Sequence, residues 1–209
     1  KSLVIYFTRQ GEIPGNVDAV SSATQNSNEG MDGSDTEATA RMIQSLTGAD
    51  LYQIYTEHYY RKSFAGTAAT AWIEEQLNLR PKLAAKPDNL DDYDTIYVGY
   101  PIWWFNAPMA IGSFLESYDL SGKTIVPFCT SQDNDISVSM DYIKEVASGA
   151  NVLDGYRIHG ADVDDVKEWL QRIGVLNDNN TENQNAEGSL EMKTKKSDKN
   201  YESATIPDE

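Results

Sequence analysis

Thr95-Ile96-Tyr97-Val98-Gly99-Tyr100 carries no charge and runs straight into Pro101-Ile102-Trp103-Trp104-Phe105-Asn106-Ala107-Pro108, a proline-bracketed loop crowded with aromatic rings. The first six residues have the length of a strand and none of the polar alternation of a half-exposed one, which predicts a strand covered on both faces. After the loop the period changes. Ile111, Phe114, Leu115 and Tyr118 fall at i, i+3, i+4 and i+7, one face of a helix whose first turn Pro108 suits. A buried strand, a loop and an amphipathic helix in succession make one unit of an α/β fold.

The unit repeats in both directions. Residues 3–7, 51–55, 124–129 and 151–158 are further apolar runs of strand length. Ser34-Asp35-Thr36-Glu37 is a capping-box pattern, followed by Thr39, Ile43 and Leu46 on one face and Gly48 as terminator. Further helices are expected over about 64–79 and 137–147, and Val166, Trp169, Leu170 and Ile173 mark the last one. Five strands alternating with helices predict an α/β fold, a doubly wound five-stranded parallel sheet with right-handed crossovers. Such sheets bind ligands at the carboxyl ends of their strands.

The chain has 209 residues and carries 33 acidic against 17 basic side chains, a formal charge of -16. Residues 1–175 are expected to form one domain. Residues 176–209 hold too few apolar side chains to offset the entropy of ordering them and read as a flexible or loosely docked tail. A second polar stretch, 21–35, reads as a long loop. The acidic balance argues against nucleic acid as a partner, since no basic stripe is visible to override the overall field. Cys129 is the only cysteine, so an internal disulfide is excluded, and with His58 and His159 alone beside it no zinc set exists. No apolar run reaches the ~18 residues of a membrane span. A cytoplasmic protein is expected.

Three strand exits are the places to look for chemistry. The first gives Thr8-Arg9-Gln10-Gly11 and, after the long loop, Ser34-Asp35-Thr36, where hydroxyls and helix-start amides make an anion site. An ordinary capped loop is the alternative there. The exit at 101–108 offers a wall for a flat aromatic ligand, against the commoner role of aromatic residues as core. The exit after residue 128, Cys129-Thr130-Ser131-Gln132-Asp133-Asn134-Asp135, is suited to reading the edge of a heterocycle, or simply closes the sheet. Ser121-Gly122-Lys123-Thr124 imitates the end of a phosphate-binding P-loop but precedes a strand where that motif must follow one. A phosphoacceptor domain would need acidic residues where Phe7-Thr8 and Tyr100-Pro101 stand, and no G-x-S-x-G elbow is present for a hydrolase. Cys129 reads as a buried small hydrophobe.

Together V-I-Y-F-T-R-x-G at the start, Y-P-I-W-W-x-N-A-P-M, F-L-E-S-Y-D-L-S-G-K-T and I-V-P-F-C-T-S resemble the flavodoxin family, in its bacterial branch with a long insertion before the first helix. The resemblance covers about residues 2–175. It implies a flavodoxin-like strand order 2-1-3-4-5 and a bound FMN. By position, Thr8 and Thr36 would contact the phosphate, with Arg9, Gln10 and Asp35 alongside. Pro101, Ile102, Trp103, Trp104, Phe105 and Asn106 would run along the isoalloxazine, with Trp104 the first candidate for a stacking face and Trp103 the second. Thr130, Ser131, Gln132 and Asp133 would line its far edge. Gln10 departs from the small hydroxyl residue common in relatives, and Phe105 stands where glycine is common, a bulky residue beside the ring that restricts peptide rotation there.

The resemblance thus implies an electron-transfer protein whose acidic surface steers a basic redox protein partner. One alternative is an FMN-dependent quinone or NAD(P)H oxidoreductase with a small quinone-like acceptor. Another is a flavodoxin-like binding module without flavin.

Overall fold

The computed structural model describes residues 1–9, 34–58, 60, 63–158, 160 and 162–176. Gln10, most of the loop expected at 21–35 and all of the expected tail except Leu176 lie outside these residues. The described chain runs β1 (Ser2–Phe7), α1 (Asp35–Thr47), β2 (Asp50–Ile54), α2 (Phe64–Gln76), β3 (Thr95–Pro101), α3 (Met109–Leu115), β4 (Thr124–Thr130), α4 (Ser137–Val146), β5 (Asn151–Val152), β6 (Tyr156–Ile158) and α5 (Val163–Arg172).

All the strand pairs are parallel, in the order β2-β1-β3-β4-β5, with β6 also on β4. Successive side chains of a strand point to opposite faces, and the core divides accordingly. Leu3, Ile5 and Phe7 of β1 pack with Ile111 and Phe114 of α3 and with Ile143 of α4. Val4 and Tyr6 pack with Ala38 and Ile43 of α1 and with Trp169 and Leu170 of α5. Both faces are therefore covered, which is why these strands are continuously apolar. From β1 the chain moves one way to β2, then returns past it to β3 and onward to β5. The order reverses between β1 and β3, so their carboxyl ends border the crevice where such sheets bind ligands.

Local signals account for the helix bounds. Ser34 caps α1 in extended backbone, its Oγ accepting the Glu37 N–H, and Gly48 ends it at φ 68. Pro108 stands at the cap of α3, one position before its expected place in the first turn. α2 stops at Gln76 rather than near 79 because Asn78 turns left-handed at φ 49.

The run expected as one fifth strand is two short pieces, β5 and β6, separated by residues 153–155. Two features of the chain coincide with the break. Pro127, which has no N–H to give, lies in β4 between the residues paired with β5 and those paired with β6. Gly155 also passes so close to α4 that a Cβ there would sit 2.5 Å from Ile136 Cδ1 and 3.1 Å from Met140 Sδ. Cys129 is fully buried, and burial pushes its thiol up to about 12, so it has no thiolate character near neutral pH. Among the described residues no helix is long and apolar enough to cross a membrane.

Candidate functional site

The ends of β1 and β4 and the start of α1 meet in a knot of hydroxyl groups. Thr8 Oγ1 lies 2.9 Å from Ser34 Oγ, and Thr36 Oγ1 lies 2.7 Å from Thr130 Oγ1, both pairs buried. Asp35 is buried beside them in the first helical turn, where the helix dipole favours a carboxylate. A hydroxyl both donates and accepts, so each pair can re-aim toward an anion at this helix start without leaving a buried polar atom unmet. Ser34→Ala removes the cap and one partner of Thr8. The variant is expected to lose about 1 kcal/mol, read as a lower urea midpoint at unchanged slope, and an unchanged midpoint would contradict the capping role.

The exit of β3 is shaped by a reverse turn. Ile102 N–H donates to Thr130 O, tying the loop to β4, and Trp103 and Asn106 exchange two main-chain hydrogen bonds of 2.9 and 3.0 Å. The residues between them, Trp104 and Phe105, both have positive φ, 50° and 62°. This is the pattern of a two-residue type I′ turn. It sends successive aromatic rings to different places. Trp103 packs edge-on against Phe7 at 5.4 Å and Tyr60 at 5.1 Å, so it closes the end of the core. Trp104 is 46% exposed and fixed by its Nε1, which donates to Ala68 O of α2 at 2.8 Å. Phe105 is 66% exposed. Asn106 Oδ1 accepts the Ala107 N–H and closes the turn.

Beyond β4, Ser131 Oγ accepts the Asn134 N–H at 2.9 Å and so folds back the loop that carries exposed Gln132 and Asp133. Asp135 accepts the Ser137 N–H, which holds its carboxyl below the usual carboxylate range.

Between these pieces lies a cleft of about 410 Å3. Ile102, Trp103, Trp104 and Phe105 form one wall, Phe64, Thr67, Ala68 and Ala71 of α2 the other, and Arg9 and Asn134 its polar borders. Of the residues expected from sequence, Arg9 and residues 102–105 line this cleft. Thr8, Asp35, Thr36 and Thr130 gather in the hydroxyl knot. Pro101 is buried at the end of β3, Asn106 closes the turn, and Ser131, Gln132 and Asp133 form the loop after β4. A second cleft, about 450 Å3, lies between residues 80–86 and α3, but its cations are engaged: Arg80 with Glu116, Lys82 with Glu57, and Lys86 over the Tyr118 ring.

Sequence reasoning missed the α2 wall and Asn134 as lining residues. The signal was there in α2, whose residues 64–73 carry no charge, yet it buries only Thr67 and Ala71 and leaves Phe64, Trp72 and Ile73 exposed. An uncharged helical stretch that stays this exposed leaves apolar surface available at the cleft.

Behind the aromatic wall, Tyr60 donates to Glu74 Oε2 at 2.6 Å. Desolvation raises the Glu74 carboxyl above its ordinary 4.5, against the opposing pull of the Tyr60 hydrogen bond. The folded chain therefore binds this proton more tightly than the unfolded chain, and stability falls as pH rises from 4.5 through the native value. Glu74→Gln keeps an acceptor for Tyr60 and removes the buried charge. It is expected to melt above the native chain at neutral pH and together with it in acid below the ordinary carboxylate range. Equal melting at neutral pH would contradict the assignment.

A doubly wound sheet of order 2-1-3-4-5, with a hydroxyl-ringed helix start and an aromatic cleft at its switch point, defines a protein of the flavodoxin-like α/β fold class. The sequence model of the flavodoxin family matches residues 30–173, and the chain belongs to that family. Among solved structures, a proposed flavoprotein of Bacteroides uniformis is 30% identical over 82% of this chain and 97% of its own, with a TM-score of 0.65. One of Bacteroides eggerthii is 28% identical over 84% and 99%, with a TM-score of 0.66. A flavoprotein of Lactobacillus acidophilus in complex with FMN shares the fold at 20% identity over 81% and 97%, with a TM-score of 0.57. No curated protein matches the chain.

Proposed function

We propose that this chain binds FMN across the switch point and works as an electron-transfer protein. The observation that carries the reading is the convergence of the buried hydroxyl knot at the α1 start with the aromatic cleft at the β3 exit. The donor set fits the group. Helix-start amides and hydroxyls suit a phosphate dianion, a cleft walled by Trp104 and Phe105 suits a flat ring system, and the polar loop of Ser131, Gln132 and Asp133 suits a heterocycle edge. Family membership and the shared fold of the FMN-bound Lactobacillus protein support the same cofactor.

When bound, FMN supplies the redox chemistry, taking and passing on electrons. The chain supplies the rest. Thr8, Ser34 and Thr36 would hold the anionic end, Trp104, anchored on Ala68, would offer a stacking face, and Trp103 with Phe7 and Tyr60 closes the core behind the cleft. A formal charge of -16 would speed encounter with a basic partner and make that encounter sensitive to salt. The test is stopped-flow oxidation of the reduced flavoprotein by a basic one-electron acceptor protein at rising ionic strength. A steep fall in rate supports the carrier, and a rate indifferent to salt contradicts it.

The second reading, an FMN-dependent quinone or NAD(P)H oxidoreductase, is favoured by the open mouth of the cleft, where Phe64 and Phe105 are 49% and 66% exposed. Such a mouth suits a small planar acceptor. Steady-state turnover of a water-soluble quinone with NADH or NADPH as donor would favour it, and no turnover with either donor would exclude it.

A further inference from the structure

Among the described residues with positive φ, all but two are of the types that accept it: Gly48, Gly122, Gly149, Gly160 and Gly174, and Asn78. The two exceptions are neighbours, Trp104 and Phe105, and both line the cleft. At the central positions of a type I′ turn the favoured residues are asparagine and glycine, because a Cβ in the left-handed region crowds the backbone. Elsewhere among the described residues this backbone demand is met with a residue that satisfies it, and at these two positions it is not.

Among the described residues, no hydrogen bond or ring contact compensates Phe105. Trp104 has the Ala68 hydrogen bond to hold it. Phe105 is 66% exposed, so its ring gains little from burial in the free protein, and Phe64 faces solvent on the opposite wall of the same cleft. A strained backbone position carrying a large exposed apolar ring conflicts with the local rules the rest of the chain obeys, and such conflicts mark functional sites. The turn is also rigidly closed, by the paired main-chain hydrogen bonds of Trp103 and Asn106, so the ring is presented in a fixed direction.

We propose that Phe105 is a binding determinant for the flavin, an aromatic jaw held in left-handed strain so that this chain gives up fold stability in exchange for grip on the ring. The proposal rests on the FMN reading above and assigns to one residue two effects of opposite sign. Compensation comes only with the ligand, whose flat ring covers the exposed face of Phe105 and turns it into buried aromatic contact.

The experiment uses the full chain with Phe105→Gly and Phe105→Ala, read in two ways: thermal unfolding of the flavin-free protein, and FMN affinity by quenching of flavin fluorescence. Glycine relieves the strain, so the flavin-free midpoint is expected to rise by about 2–6 °C, while FMN binding weakens about tenfold. Alanine removes the ring but keeps a Cβ at positive φ, so its midpoint gains little, while its affinity falls as far as that of glycine. A glycine variant whose midpoint is unchanged or lower overturns the proposal, and so does one that binds FMN within about twofold of the native chain. If the native chain itself leaves flavin fluorescence unchanged, it is the FMN reading that fails, a result separate from either of these.

Discussion

Gly99→Ala is expected to cost about 3 kcal/mol or more, enough to leave a large part of the protein unfolded in moderate urea. Gly99 lies in β3 directly opposite Phe128 in β4, and a Cβ added there would run into the Phe128 ring, with Cε2 at 2.5 Å, Cε1 at 2.9 Å and Cζ nearer still. The ring has no room to yield, because Phe128 is fully buried and packs against Trp169 at 6.3 Å between centroids. Overpacking of this kind is relieved only by moving one strand against the other, and the β3 to β4 pairing is what sets Pro101 beside Thr130. Phe128→Leu clears the far side of the collision, so alanine at Gly99 should cost less in that background than in the native chain. Equilibrium urea unfolding of the four proteins closes the cycle. A Gly99→Ala variant as stable as the native chain would contradict the packing of these two strands.

Trp104→Ala has the largest expected effect on binding. The ring forms one wall of the cleft, and stacking of a flat heterocycle on an aromatic side chain is worth about 1–3 kcal/mol. FMN affinity should therefore fall about ten- to a hundredfold. The flavin-free protein also loses the hydrogen bond to Ala68 O, a smaller loss of about 1 kcal/mol. Trp104→Phe keeps a stacking face without the anchor and should recover most of the affinity but not the stability. Fluorescence titration with FMN, beside thermal melts, separates the two effects. Affinity retained in Trp104→Ala would move the ring-binding face elsewhere, and Trp103 is poorly placed to supply it because its ring is committed to Phe7 and Tyr60.

The architecture was readable because local and global signals agree. The apolar residues of β1 have no polar alternation since both faces of that strand are covered, and Ser34 and Gly48 mark the ends of α1 with the residue types those backbone positions require. The break in the fifth strand was not readable from its own residues. It coincides with Pro127 in a neighbouring strand and with the closeness of α4 to Gly155, both matters of tertiary contact.

The site divides in the same way. The sequence placed aromatic and hydroxyl residues at the strand ends, because the topology of such sheets brings those ends together. It could not reveal that Thr36 pairs with Thr130, 94 residues away, or that adjacent tryptophans would part, one into the core and one onto the cleft. That parting follows from the positive φ of Trp104 and Phe105, which no local preference of tryptophan or phenylalanine would suggest. The α2 wall was hidden for a different reason. The helix was expected from its residues, and only the exposure of Phe64, Trp72 and Ile73 shows how much apolar surface it leaves at the cleft and beside it.

The central claim is that the cleft between the 102–105 turn and α2, bordered by Arg9 and Asn134, is a flavin site. Its most direct test is titration of the purified flavin-free protein with FMN, followed by flavin fluorescence and visible absorption. The account predicts saturable quenching at one FMN per chain, a shift of the flavin absorption bands on binding, and weakening of both in Trp104→Ala. A protein that leaves the fluorescence and spectrum of added FMN unchanged would contradict it and favour a flavodoxin-like fold used as a binding module without flavin.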